Sequence, residues 1–170
     1  SNFSEYFQVS DLQDYIGFCP SSGPSLDLLN EKIVIAYTSY NDQSVYVSIS
    51  TEDEMDFSNY INVNPESNSF QNYPYAIYDN YMHVVWVDMN GYDIFYGGMS
   101  DLDNNSVMNI QKINDDESNL LQIDPILDAD QDLIYAFWSD QRHGNYEIYL
   151  SKGINVSILL GDINQDSVID

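Results

Sequence analysis

The feature that most constrains the fold is an aromatic-rich hairpin pattern that occurs three times along the chain. In the clearest copy, residues 134–151, two apolar strands are joined by a polar turn over residues 141–145. Gly144 and Asn145 in that turn are residue types that tolerate a positive φ. Residues 82–96 are a close copy and residues 33–47 a more divergent one. The pattern predicts three antiparallel strand pairs.

Two further patterns recur together with the hairpin. Residues 2–10 match residues 56–64 at almost every position, residues 107–114 are a looser copy, and all three alternate as strands do. In each unit a short apolar segment also follows a proline. These segments are residues 25–29 after Pro24, 75–78 after Pro74 and 126–128 after Pro125.

The repeat therefore has a period of about 50 residues and four short strands, which is typical of a β-propeller blade. We expect an all-β fold with three four-stranded antiparallel blades. With the post-proline strand called a, the hairpin b and c, and the alternating segment d, the chain is ordered d, abc-d, abc-d, abc. The last blade lacks its own d strand, so we expect the N-terminal strand to complete it, in cis or by strand exchange.

Three arrangements satisfy this strand order. Two chains could exchange their opening strands and build a six-bladed ring, the chain could be one part of a longer array, or three blades could close alone. The last is least favoured, because propellers usually have about four to eight blades. Tyr37, Trp86 and Trp138 occupy equivalent places in the three hairpins, which predicts that they fill the space between blades.

The charge balance excludes some partners. The chain has 28 Asp and Glu against 4 Lys and Arg, a formal net charge of −24. Such a chain repels nucleic acid and anionic membrane surfaces. The single cysteine, Cys19, permits no intrachain disulfide, and no apolar run is long enough to span a membrane. We expect an extracellular or cell-surface protein that salt or calcium stabilises.

The hairpins, with Trp138-Ser-Asp-Gln-Arg-His-Gly-Asn-Tyr-Glu-Ile-Tyr149 as the best copy, resemble sialidase-like β-propeller repeats over residues 2–152. These are also called bacterial-neuraminidase or Asp-box repeats. The Asp-box turn, Ser-x-Asp-x-Gly-x-Thr-Phe/Trp, corresponds here to residues 50–57, which lack the glycine and displace the acid. Sialidases bind the substrate carboxylate with three arginines, whereas this chain has only Arg142, which we expect to pair with Asp140 and Glu147. The resemblance thus implies a propeller without sialidase activity, and we assign no catalytic residue.

The C-terminal residues resemble the opening of a type I dockerin repeat, a calcium loop of EF-hand type. The resemblance implies Ca²⁺ as cofactor, with ligands at loop positions 1, 3, 5, 7 and 9. Those positions fall on Asp162, Asn164, Asp166, the carbonyl of Val168, and Asp170. Ser167 replaces the glycine common at position 6. The chain then divides into a propeller unit (1–153), a connector (154–160) and the start of a calcium loop (161–170).

Two functions from different classes remain. The first is a non-catalytic extracellular propeller module for binding or assembly, through self-association by strand exchange, another extracellular protein or a glycan, within a longer secreted protein. The alternative is a carbohydrate-active hydrolase, or a portion of one, that uses two carboxylates. Asp88 with Asp140, and Asp93 with Glu147, repeat between blades and indicate architecture, because catalytic acids should break the repeat.

The remaining candidates for metal or catalytic chemistry are weak. His83 is expected on a strand and His143 in a turn, so they form no metal-ligand pattern. The alternating carboxylates of residues 128–132 could hold calcium, but a solvated hairpin turn is the favoured interpretation.

Overall fold

The computed structural model describes residues 6–10, 13–16, 22–79, 81–99, 107–116, 119–130 and 133–154. In these ranges the protein is all-β, with no α-helix and hence no helix that could cross a membrane. The strands are β1 (Ser25–Leu29), β2 (Lys32–Ser39), β3 (Ser44–Thr51), β4 (Tyr60–Asn62), β5 (Gln71–Tyr78), β6 (Met82–Asp88), β7 (Asp93–Met99), β8 (Met108–Lys112), β9 (Gln122–Ala129), β10 (Leu133–Asp140) and β11 (Glu147–Ile154).

The strands form three antiparallel sheets. The first has the order β1-β2-β3-β4, the second β5-β6-β7-β8 and the third β9-β10-β11. Each sheet follows the chain, and neighbouring strands pair antiparallel. The predicted a-b-c-d order is confirmed in the first two sheets. The third has a, b and c strands and, among the described residues, no fourth strand.

The first strands of the second and third sheets begin earlier than the sequence predicted. β5 starts at Gln71 and β9 at Gln122, upstream of their prolines. Tyr73 and Asp124, the residues before the prolines, both have a φ of 53°. The register against the neighbouring strand shifts at these points, so each is a β-bulge. The expectation that the first strand follows the proline holds for β1 but was wrong for β5 and β9, because the bulge lets the strand pairing continue on both sides of the proline.

Two apolar cores lie between the sheets. We call the face of a sheet that packs on the preceding sheet its leading face, and the opposite one its trailing face. The first core joins the trailing face of the first sheet to the leading face of the second: Val34, Ala36, Val45, Val47, Ile61 and Val63 meet Ala76, Met82, Val84, Trp86 and Met99. The second joins the second and third sheets: Val85, Val87, Ile94 and Tyr96 meet Leu127, Ile134, Ala136 and Trp138. The sheets therefore stack in sequence order, as blades do.

One aromatic pair recurs in all three sheets. Tyr37 stacks on Tyr46, Trp86 on Phe95 and Trp138 on Tyr149, with ring centroids 5.8, 5.9 and 6.4 Å apart. The two rings of each pair are direct cross-strand partners. Trp86 and Trp138 are almost completely buried in the two cores, which confirms that they fill the space between sheets.

Residues 6–10 do not complete the third sheet in cis. They form no strand, and among the described residues β11 pairs only with β10. Phe7 and Val9 instead line a cavity of about 360 Å³ together with residues of the first sheet, including Ile35 and Tyr37. The described part of the predicted N-terminal strand therefore lies beside the first sheet, at the other end of the stack.

Candidate functional site

Loops and turns from all three sheets meet at one end of the stack. The backbone N–H of Gln71 donates to the carbonyl of Gln43 at 2.8 Å, which ties the start of β5 to the β2–β3 turn. Within the second and third sheets, the hairpin turn is tied to the segment before the first strand: Met89 N–H donates to the Phe70 carbonyl (2.8 Å) and Gln141 N–H to the Leu121 carbonyl (3.0 Å). We call this region the loop end. In each sheet it combines the hairpin turn with the segment that leads into a first strand.

The first strands of consecutive sheets lie side by side and begin at the loop end. The backbone N–H groups of Ala76 and Tyr78 donate to Ser25 Oγ (3.0 Å) and Asp27 Oδ2 (2.7 Å) of β1. The edge of β5 therefore faces β1 rather than open solvent. The bulges at Tyr73 and Asp124 occupy the same place in neighbouring strands and carry a backbone conformation that costs non-glycine residues about 1–3 kcal/mol.

Asp124 is the acid with unusual chemistry at this end. Its side chain is accessible, yet partial burial raises the pKa of its carboxyl. No hydrogen bond from a described residue stabilises its charge. The pKa is lowered, not raised, in the other described acids that show a shift, which are Asp56, Asp115, Asp140 and Glu147. The Asp124 carboxyl is therefore both accessible and free of hydrogen bonds from the described residues, so it is open to a ligand.

Asp124 is a functional candidate that the sequence analysis missed. Alignment of the repeats on their prolines places it opposite Tyr73 and Gly23. It is thus an acid that breaks the repeat, the property expected of a catalytic or binding acid. The signal was present, but the strand was expected to begin after the proline.

An aromatic cluster lies at the loop end of the first sheet. Tyr40, in the β2–β3 turn, contacts Tyr15 edge-on at 6.1 Å and Phe70 at 5.2 Å between ring centroids. Tyr15 is 56% exposed. Asn72 Nδ2 donates to the Tyr40 hydroxyl at 3.5 Å. Exposed aromatic rings flanked by amide groups are suited to stacking on a flat polar ligand such as a sugar ring.

The most strongly bonded charge pair is in the third sheet. Asp140, fully buried, accepts hydrogen bonds from Trp138 Nε1 (3.1 Å) and from the Arg142 backbone N–H (2.8 Å), Nε (3.0 Å) and a terminal nitrogen (2.7 Å). Burial alone would raise the pKa of Asp140, but these bonds outweigh it and lower that pKa. Arg142 also pairs with Asp115 at 2.6 Å and lies 3.9 Å from the Tyr149 ring centroid.

This geometry confirms one predicted pairing of Arg142 and corrects another. Its acidic partners are Asp140 and Asp115, whereas Glu147 bonds to His143 at 2.8 Å. Each of the three guanidinium nitrogens donates to one of these two carboxylates, and the group lies over the tyrosine ring, which supports the expected structural role. In the same turn Gly144 has the predicted positive φ, but Asn145 does not.

The histidines lie apart, as predicted. His83 is fully buried on β6, between Asp79 (3.0 Å) and the Tyr96 hydroxyl (2.8 Å). His143 is exposed in the last turn. The described ranges hold no cluster of three His, Cys, Asp or Glu side chains suited to a metal ion. Asp130 Oδ1 accepts the backbone N–H of Leu133 at 2.8 Å, as in an ordinary hairpin turn.

The predicted calcium ligands lie outside the described residues. These are Asp162, Asn164, Asp166, Val168 and Asp170. Cys19 also lies outside them. The calcium loop and the boundaries at 153 and 160 therefore remain predictions from the sequence.

Comparison with known proteins relates the chain to propeller glycosidases. No protein-family model matches the sequence, and no curated protein matches it. Among solved structures, the catalytic domain of the GH62 α-L-arabinofuranosidase of Coprinopsis cinerea aligns with a TM-score of 0.50 and 14% identity, over 79% of this chain and 47% of that one. The α-L-arabinofuranosidase PaAbf62A of Podospora anserina, solved with cellotriose, aligns with a TM-score of 0.50 and 12% identity, over 83% of this chain and 50% of that one.

These similarities establish the fold at the level of the propeller. The related structures are five-bladed propeller-type arabinofuranosidases, not sialidases. The sialidase resemblance therefore holds only for the general architecture. This chain spans about half the length of the structures that it matches.

Proposed function

We propose that the chain is an extracellular β-propeller module that contacts carbohydrate at its loop end. The observation that carries the proposal is Asp124, an accessible carboxyl with a raised pKa at a bulge in a first strand. A carboxyl to which no described residue donates a hydrogen bond can accept one from a sugar hydroxyl. The Tyr15–Tyr40–Phe70 cluster at the same end supplies aromatic surface for sugar rings.

Sugar binding can be measured by isothermal titration calorimetry. Because the Podospora anserina structure contains cellotriose, cello-, xylo- and arabino-oligosaccharides form the first panel. We expect Asp124→Asn to weaken binding by about tenfold or more, a loss of about 1.4 kcal/mol, and Tyr40→Ala to weaken it as well. Asp130→Asn, an exposed acid in the turn at the far end of β9, is the matched control. Binding that Asp124→Asn and Tyr40→Ala leave unchanged would place the site elsewhere.

The alternative function is hydrolysis, and one observation favours it. The raised pKa of Asp124 suits a general acid. A glycosidase also needs a second carboxyl at about 5–9.5 Å from the first. Release of reducing sugar from the same oligosaccharides separates the two functions. Turnover abolished by Asp124→Asn would support the hydrolase, whereas binding without turnover supports the non-catalytic module.

The amino-acid sequence supports an external location and calcium binding. The strong negative charge is consistent with an external, salt- or calcium-rich medium. Ca²⁺ is the ion that the oxygen-rich loop of residues 162–170 would take, since it prefers carboxylate, amide and carbonyl oxygens. Assembly with a further copy of the chain rests on separate observations, at the two ends of the sheet stack.

A further inference from the structure

The stack of three sheets has two apolar faces that no described residue buries fully. On the trailing face of the third sheet, Ile148 is 72% and Leu150 50% exposed. Their counterparts on the other trailing faces, Val45 and Val47 in the first sheet and Ile94 and Tyr96 in the second, are at most 5% exposed. The next sheet covers those counterparts, so Ile148 and Leu150 lack the sheet that the repeat provides elsewhere.

The leading face of the first sheet is also exposed, because no preceding sheet of the described chain packs on it. Leu26 is 66% exposed, whereas its counterparts Ala76 and Leu127 are 1% and 5% exposed within the two cores. Leu28 on the same strand is 51% exposed. The two exposed apolar faces are thus a trailing face and a leading face. These are the same two kinds of face that pack together at both inter-sheet cores of the chain.

The N-terminal segment indicates what belongs beside the first sheet. Ile61 and Val63, on and just after the outer strand of the first sheet, pack against Val84 and Trp86 of the second. By the sequence match these residues correspond to Phe7 and Val9, which line a cavity with Ile35 and Tyr37, the counterparts of Val84 and Trp86.

Residues 6–10 thus lie where the outer strand of a preceding blade would lie. Among the described residues, no inner strands of such a blade lie beside the first sheet, and the third sheet has inner strands but no outer one. Each end of the stack carries what the other lacks.

We propose that the occupant is a second copy of this chain. The third sheet of one copy packs its trailing face on the first sheet of the other, and β11 pairs with residues 6–10 of that other copy. The β3–β4 register, in which Ser48 faces Tyr60 and Val47 faces Ile61, places Ser151 opposite Tyr6 and Leu150 opposite Phe7. Within one chain, the Asp27 carboxylate of the first sheet accepts a backbone N–H of the second sheet. Asp128 is the equivalent residue of the third sheet, and it is placed to accept a backbone N–H from the first sheet of the other copy.

Two such contacts related by a twofold axis close a ring of six sheets. Closure leaves no open sheet edge and no uncovered apolar face, and six lies within the usual range of about four to eight blades. The formal charge of −24 on each copy opposes association, so the dimer should strengthen as salt rises. The inference concerns the ends of the stack and does not depend on carbohydrate binding.

Sedimentation equilibrium of the 170-residue chain, with paired variants, tests the proposal. We expect the parent to have twice the mass of one chain at moderate salt. Leu150→Glu and Leu26→Glu each place a charge in both contacts of the dimer and should yield monomers. An equimolar mixture of the two variants retains one unaltered contact and should recover dimers. Ile110→Glu, which alters an exposed apolar residue on β8 (38% exposed), should leave the mass unchanged.

A cross-link tests the strand pairing. With Cys19 replaced by serine, Tyr6→Cys with Ser151→Cys should give a covalent dimer on oxidation, and circular dichroism identical to the parent shows that the variant is folded. A monomeric parent at all salt concentrations, or an intrachain cross-link, would overturn the proposal. Dimers that Leu150→Glu disrupts but Leu26→Glu does not would also overturn it, because the contact would then join like faces. A monomer that still binds sugar leaves the proposed function intact.

Discussion

Replacement of Asp140 by asparagine tests how much the third sheet depends on one buried charge. The Asp140 side chain is fully buried, and its oxygens accept four hydrogen bonds, three of them from Arg142. Asparagine preserves the shape but removes the charge, and its amide nitrogen can only donate. Arg142 then loses the carboxylate that accepts its Nε and terminal N–H groups, while its side chain remains only 14% exposed.

The magnitude follows from the number of bonds lost. A hydrogen bond to a charged group contributes about 1.5–3 kcal/mol, and removal of one member of a buried ion pair costs about 3–5 kcal/mol. Asparagine retains one acceptor oxygen, and Asp115 continues to pair with Arg142, so we expect a loss of about 3 kcal/mol in the free energy of unfolding. For a chain of this size that corresponds to a melting temperature lower by roughly 6–12 °C.

Urea denaturation followed by tryptophan fluorescence measures this loss. Asp88→Asn is the matched control, because Asp88 holds the same place in the second sheet but is partly exposed. Within the part of the chain that the structure describes, Asp88 accepts hydrogen bonds only from Ser69 (2.5 Å) and the Asn90 backbone N–H (3.0 Å). We expect the control to lose about 1 kcal/mol. Equal losses for the two variants would refute the reasoning, since the difference between them rests on burial and on Arg142.

Three further predictions follow from the described contacts. Trp138→Phe should cost about 1–3 kcal/mol more than Trp86→Phe, as measured by urea denaturation, because Trp138 Nε1 donates to Asp140 whereas Trp86 Nε1 has no partner among the described residues. Burial lowers the pKa of His83 below its ordinary 6.5, and the attraction of Asp79 opposes this shift. The neutral His83 therefore contributes fully to the free energy of unfolding above pH 6.5, and this contribution is lost as the pH falls towards the pKa of His83 in the folded protein. Melting curves should show this loss, and His83→Gln should abolish it. Millimolar Ca²⁺ should raise the melting temperature beyond the effect of NaCl at equal ionic strength, and Asp162→Ala with Asp166→Ala should remove only that excess; no excess in the parent would count against a calcium loop.

The sheet order was predictable from the sequence because a blade is a local structure. Each hairpin partner lies within a few residues of its mate, and the alternation of apolar residues sets the register. The repeated rings Trp86 and Trp138 then located the two inter-sheet cores, whereas Tyr37, at the equivalent place in the first sheet, lines the cavity beside Phe7 and Val9. These features depend on short stretches of chain, so pattern alone revealed them.

The candidate site was less predictable, because it depends on backbone geometry that the residue pattern does not encode. A residue before proline favours an extended conformation, so nothing indicated that Tyr73 and Asp124 would adopt a positive φ and bulge into the strand. Likewise, the acid Asp115 reaches Arg142 from the loop before β9, 27 residues away in sequence. Glu147, the nearer acid in sequence, is taken by His143.

Departures from the repeat concentrate at the loop end of the third sheet, and this links the stability of that sheet to its proposed function. Gln71 and Gln122 are equivalent and buried, but they bond differently. Gln71 Oε1 accepts the backbone N–H of Val45 at 3.1 Å. At the next interface Asn114 Oδ1 accepts the corresponding N–H of Ile94 at 2.8 Å, and Gln122 Oε1 has no hydrogen-bond partner in the described ranges.

An unbonded buried acceptor costs about 1–3 kcal/mol. The backbone strain two positions further along is common to both strands, at Tyr73 and at Asp124. Pure architecture would therefore favour a repeat of the Gln71 hydrogen bond, which avoids the cost of the unbonded acceptor. The buried pair of Asp140 and Arg142 holds the neighbouring turn in place. The unbonded Gln122 acceptor and the acid Asp124 both break the repeat beside this firmly held turn. Departures from the repeat that architecture does not require favour the loop end of the third sheet over its repeated neighbours as the place of the proposed carbohydrate site.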